Sequence, residues 1–143
     1  MNYKKVGNSY KSISVETASP GKIVLMLFDG AIKFMDMALA GFDIEDTRRK
    51  NETIHNNIQK TQNIVSELQS SLDKKAAEKF SQTMYDLYTY MNKLLQEANA
   101  KKEKKPIQEV SKLLKELREA WAEMLTKAEK DGNINISSLS CNA

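Results

Sequence analysis

The sequence has little of what builds a catalytic or metal centre. It contains one histidine and one cysteine in 143 residues. A structural zinc site takes four Cys or His ligands, so this chain cannot assemble one. Di-iron bundles place a Glu-x-x-His on each of two helices. Glu52-Thr53-Ile54-His55 is one such motif, and without another histidine the second cannot exist. Cys141 has no histidine near it in sequence to act as the positioned base a thiol nucleophile needs. It also has no partner for a disulfide, which fits a reducing compartment. No glycine-rich loop offers to cradle a phosphate. No stretch reaches eighteen apolar residues, so no helix is expected to insert into a membrane. The opening "MNYKKVGNSYKSIS" lacks the apolar core of a signal peptide. The expectation is a cytoplasmic protein that is not an enzyme and takes no cofactor or metal.

Breakers are scarce as well, with five Gly and two Pro. Together with abundant Lys, Glu, Leu, Met and Ala, that favours helix. Net charge is +3, too mild to imply nucleic acid. The basic runs Arg48-Arg49-Lys50, Lys74-Lys75 and Lys101-Lys102 with Lys104-Lys105 fall at expected helix ends or turns. No aromatics interleave with them, as RNA binding would require.

What is present is apolar periodicity. The stretch "PGKIVLMLFDGAIKFM", residues 20–35, contains Asp29-Gly30 between apolar runs, a common hairpin signal. Its polar residues Lys22, Asp29, Lys33 and Asp36 fall at steps of seven, four and three, one stripe of a helix. A single helix is therefore expected over 20–42, with Ser19 as N-cap, Pro20 in the first turn and Gly30 inside. Its apolar arc is wider than a surface helix needs. Gaps of three and four predict further helices over 47–72, 75–101 and 106–130. Asp46 or Thr47 would cap the second, Asp73 the third, and Pro106 would open the fourth. Trp121 shares a stripe with Leu114, Leu117 and Leu125 and is expected in the core, and Phe80 falls on the apolar stripe of the third helix.

Short connections between long amphipathic helices predict an all-α antiparallel four-helix bundle. Residues 20–131 would form it, preceded by a flexible N-terminal segment, 1–19, and followed by a disordered tail, 132–143. The surplus of apolar surface, with six of seven methionines in helices, suits contact with a partner, because Met packs adaptably.

Several stretches together resemble the flagellin-specific export chaperone family FliS. They are Tyr10 ahead of "VETASPGK", "LMLFDGAIKF" (25–34), "QKTQNIVSELQSSLD" (59–73), "LYTYMNKLLQEAN" (87–99) and "EVSKLLKELREAW" (109–121). The resemblance covers roughly 10–128. Phe28 stands where the family commonly has Tyr, and Thr89 where it often has Asp. The resemblance implies a cytosolic export chaperone that binds the C-terminal region of flagellin, prevents premature polymerisation and delivers it to the flagellar type III export gate. Positions on helix shoulders or in the family-like stretches give the expected flagellin-binding residues: Met26, Ile54, Ile58, Val65, Tyr88, Met91 and Leu95. The resemblance further implies that Val6 and Tyr10 cap a groove or engage the export gate protein. The rival reading is a structural or adaptor bundle that uses the same apolar surface to self-associate.

Overall fold

The fold starts where the sequence turns from polar to periodic. In a computed structural model, which describes residues 19–73, 75 and 77–131, Ser19 is extended and its Oγ accepts the Lys22 amide at 3.3 Å. Helix α1 then runs over Pro20–Gly41, α2 over Thr47–Ser70, α3 over Glu78–Lys101 and α4 over Lys104–Asp131. No strand occurs among the described residues. Asp29-Gly30 lies inside α1, so the helical stripe outweighs the hairpin dipeptide. The helices span 22 to 28 residues, or about 33–42 Å at 1.5 Å per residue. None is long and apolar enough to cross a membrane.

Helix ends follow local chemistry. Asp46 caps α2, its Oδ1 accepting the Arg49 amide at 3.0 Å. Asp73 does not cap α3, contrary to the sequence reading. Its carboxylate accepts the Lys75 amide at 2.9 Å instead, within the turn. The helix starts three residues later than expected, behind Ala77, which makes no side-chain cap. Helix α4 begins two residues before Pro106. A proline is tolerated there because first-turn amides have no intrahelical acceptor. Between α3 and α4, Lys102 takes the left-handed conformation (φ 52°) usually given to glycine. Its Nζ returns to the Asn99 carbonyl and side-chain oxygens. Burial pushes its ammonium pKa below the usual lysine value.

Cross-contacts fix the topology. Gly41 approaches Thr53 and Ile54, while Gly30 approaches Ile64, so α1 and α2 are antiparallel. Gln69 bonds Thr89 and His55 bonds Asn99, which makes α2 and α3 antiparallel. Asp29 pairs with Arg118, and the Gly21 carbonyl accepts the Trp121 indole N–H at 2.8 Å, tying α4 back against α1.

The core has a regular spacing. Buried positions in α1 are Gly21, Val24, Phe28, Ala31, Met35, Ala38 and Gly41, at steps of three and four. In α2, Ile54, Ile58, Thr61, Val65 and Leu68 continue the pattern, as do Ser81, Met84, Tyr88, Met91, Leu95 and Ala98 in α3. In α4 the line includes Ile107, Val110, Leu114, Trp121, Leu125 and Ala128. A 3–4 repeat keeps one seam pointed inward along near-parallel helices. Trp121 is 5% exposed, as its stripe predicts.

Candidate partner-binding grooves

Four seams run along the bundle, and their chemistry differs. The α2–α3 seam is closed by polar side chains. Gln69 Nε2 donates to Thr89 Oγ1 at 2.7 Å and to the Tyr85 carbonyl at 3.0 Å. Gln62 reaches the Asn92 carbonyl and the Gln96 amide oxygen, both at 3.4 Å, and Asn92 Nδ2 reaches Ser66 Oγ at 3.3 Å. Lys102 is only a donor, so it fixes the Asn99 oxygen toward itself, and the Asn99 nitrogen donates to His55 Nδ1 at 2.8 Å. This ladder of hydrogen-bonded polar groups, in which only the buried Asn92 Oδ1 lacks a partner, offers an apolar partner little to displace.

The α1–α4 seam is held by the Trp121–Gly21 bond and by Arg118, whose Nε lies 2.8 Å from Asp29 Oδ1. That carboxylate raises the guanidinium pKa above its usual value. Further along, Leu39 and the stems of Asp36, Gln108, Ser111, Lys112, Lys115 and Glu116 line a cleft of about 370 Å³ whose wall is largely aliphatic, although most of its side chains end in polar or charged groups.

The remaining two seams are apolar. Between α1 and α2, Ile23, Met26, Leu27 and Gly30 line a groove of about 550 Å³, rimmed by Asp29, Lys33 and Glu67. Gly30 adds no side chain to its floor, and Met26 is 37% exposed. Between α3 and α4, a cavity of about 160 Å³ is lined by Phe28, Phe80, Met84, Tyr88, Leu117, Ala120, Trp121 and Met124. Phe80 and Met124 stand at its rim, 47% and 36% exposed. Further along that seam, Tyr90 Oη donates to Glu109 Oε1 at 2.8 Å, and the carboxylate raises the phenol's pKa. Burial also holds the Tyr88 phenol well above the usual tyrosine range.

These grooves require a correction to the residues expected from sequence. Ile54, Ile58, Val65, Tyr88, Met91 and Leu95 are fully buried. Each lies on the innermost line of its helix, where the 3–4 repeat directs side chains to the bundle axis, not on a shoulder. Tyr88 borders the α3–α4 cavity from the inside. Met26 alone of the seven reaches the surface. Val6 and Tyr10 lie outside the described residues. The reading missed Phe80 as a surface residue, placing it in the core stripe of α3. Ser81 takes that inward position, its Oγ donating to the Asp73 carbonyl at 2.7 Å. The clue was spacing: Ser81, not Phe80, continues the three-and-four steps of α3.

Other polar features lie at the surface. Glu52 pairs with Arg48 at 3.1 Å. Among the described residues no group of three or more His, Cys, Asp or Glu is placed to hold a metal ion. The basic runs of two connections converge on Phe42, with Lys50 and Lys104 at 5.9 and 5.7 Å from its ring centroid. That ring is engaged by the chain's own cations.

Comparison with known proteins places this arrangement in a family. The family model described as "Flagellar protein FliS" matches residues 2–128. A Bacillus subtilis protein named "Flagellar secretion chaperone FliS" is 35% identical over 123 residues, covering 86% of this chain and 88% of its own. The Salmonella typhimurium protein of that name is 32% identical over 125 residues, covering 84% and 90%. The Escherichia coli one is 30% identical over 122 residues, covering 82% and 87%. With its helical bundle matched over nearly the whole of the described region, the chain belongs to the FliS family of flagellar proteins.

Proposed function

We propose that this chain is a flagellar secretion chaperone that acts in the cytoplasm on the C-terminal region of flagellin, with no catalysis. The observation that carries the reading is the pair of apolar grooves, α1–α2 and α3–α4, with large side chains exposed at their rims. A flagellin terminus that is disordered when free and apolar on one face can lay short helical or extended pieces into such grooves. Ordering that chain costs entropy, so affinity has to be summed over many shallow contacts along a long path. Two grooves on different sides of the bundle provide such a path. While the terminus is wrapped, its apolar face is unavailable to another flagellin, and premature polymerisation is blocked.

Delivery belongs to the segment ahead of α1. Val6 and Tyr10 engage the export gate protein and, without flagellin, shield an apolar groove.

Size-exclusion chromatography with light scattering tests the reading. Mixed with flagellin, the chain should elute as a one-to-one complex, and the bound flagellin should fail to polymerise when seeded. A stable dimer of this chain that ignores flagellin would support the self-associating bundle instead.

A further inference from the structure

Residues 132–143, "GNINISSLSCNA", contain no Asp, Glu, Lys, Arg or His, in a chain that is 29% charged. No other stretch of the sequence runs as far without one. Segments that only need to stay solvated are poor in β-branched residues and rich in charge. This one carries Ile134, Ile136 and Leu139. It also lies beyond residue 128, where the family match stops.

The α3–α4 cavity suits such a segment. Its volume, about 160 Å³, is below the roughly 300–1,000 Å³ of small-molecule pockets. It is close to the roughly 150 Å³ apolar cavity that accepts one benzene. One or two aliphatic side chains fill that space. Distance fits too. Met124 at the rim lies seven residues before Asp131, the end of α4, or about 10 Å along the axis. Leu117, at the far side of the cavity, lies about 21 Å back by the same rise. Twelve extended residues reach up to about 40 Å. Gly132 follows α4 directly, and glycine is the residue that lets a chain reverse at a helix end. Alternate residues of an extended chain share one side about 7 Å apart, which suits Ile134 and Ile136 to a short apolar slot.

We propose that residues 132–143 turn back along α4 and seat Ile134 and Ile136 in the α3–α4 groove of the free chain. The segment is then a built-in cover for one apolar groove, separate from the segment ahead of α1. Resting on the chaperone reading, the cover leaves when a flagellin segment enters that groove.

Cys141 is the only cysteine in the sequence, so a nitroxide attached there reports on the segment in the full-length chain. The signals of the Trp121 indole and the Met84 and Met124 methyl groups should lose most of their intensity, while Ile54, toward the other end of the bundle, keeps its own. Ile134→Asp with Ile136→Asp should restore the lost intensity. Retained intensity in the labelled native chain, or equal loss in the double variant, would overturn the proposal. So would broadening that disappears on dilution with unlabelled chain, since that assigns the segment to a second copy. Opening of the groove to a hydrophobic dye on deletion of 1–18, but not on the Asp substitutions, would assign it to the other segment. None of these readouts involves flagellin. A separate arm does: removing 133–143 should tighten flagellin binding, about tenfold if the open groove is populated at one part in ten. If flagellin never binds, the chaperone reading fails while the labelling result stands by itself.

Discussion

Gly30 and Gly41 stand on the same helix in opposite surroundings. A Cβ at Gly30 would sit 3.4 Å from Ile64 Cδ1, an ordinary contact, whereas at Gly41 it would meet Thr53 Cγ2 at 3.1 Å and Ile54 Cγ1 at 3.2 Å. Gly30→Ala should therefore recover helix propensity and stabilise the bundle by about 0.5–1 kcal/mol. Gly41→Ala should destabilise it by about 1–3 kcal/mol, because the α1–α2 approach must widen. Urea unfolding followed by circular dichroism reads both signs. Tyr88 provides a pH test. Its phenol is pushed above the ordinary value of 10 by burial, so up to about pH 10 both folded and unfolded states keep the proton. Above it the unfolded state releases the proton while the folded state holds it. Stability should then fall by about 1.4 kcal/mol per pH unit from this group. Tyr88→Phe should flatten that slope above pH 10. An unchanged slope would assign it to other groups.

At the scale of the helices, the repeat of three and four is the organising fact. It was legible in the sequence: all four helices fall where their apolar periods put them, within three residues at every end. What periodicity alone did not resolve was rank within the stripe. Ile58 and Leu95 look like shoulder residues when any apolar side chain counts equally, yet both are fully buried. Phe80 looks like core because it is larger than Ser81, yet Ser81 has the inward position and a carbonyl to bond. Ile58→Asp or Leu95→Asp would place a carboxylate where no water or cation reaches it. Each should cost more than about 3 kcal/mol and abolish the cooperative helical transition. A folded variant of either would mean that the position can open to the surface. Phe80→Asp should leave the transition within about 1 kcal/mol of the native chain, since the side chain is already half in water.

For the whole molecule, function turns on how the seams are divided. A polar ladder closes α2–α3, and an ion pair with an indole bond closes much of α1–α4. The apolar seams are left for partners. The sequence displayed the surplus of apolar surface and the family likeness. It did not display the division, because that depends on residues 16 to 100 positions apart, such as Gln69 with Tyr85 or Trp121 with Gly21. The proposed chaperone role is tested most directly by calorimetric titration of a flagellin C-terminal peptide into the native chain, Met26→Asp and Phe80→Asp. Saturable one-to-one binding with a negative heat-capacity change is expected, since apolar surface is buried. Each variant should lose at least about tenfold in affinity, or 1.4 kcal/mol, while remaining folded. Absence of binding to the native chain, or full affinity in both variants, would contradict the assignment of the two grooves to flagellin.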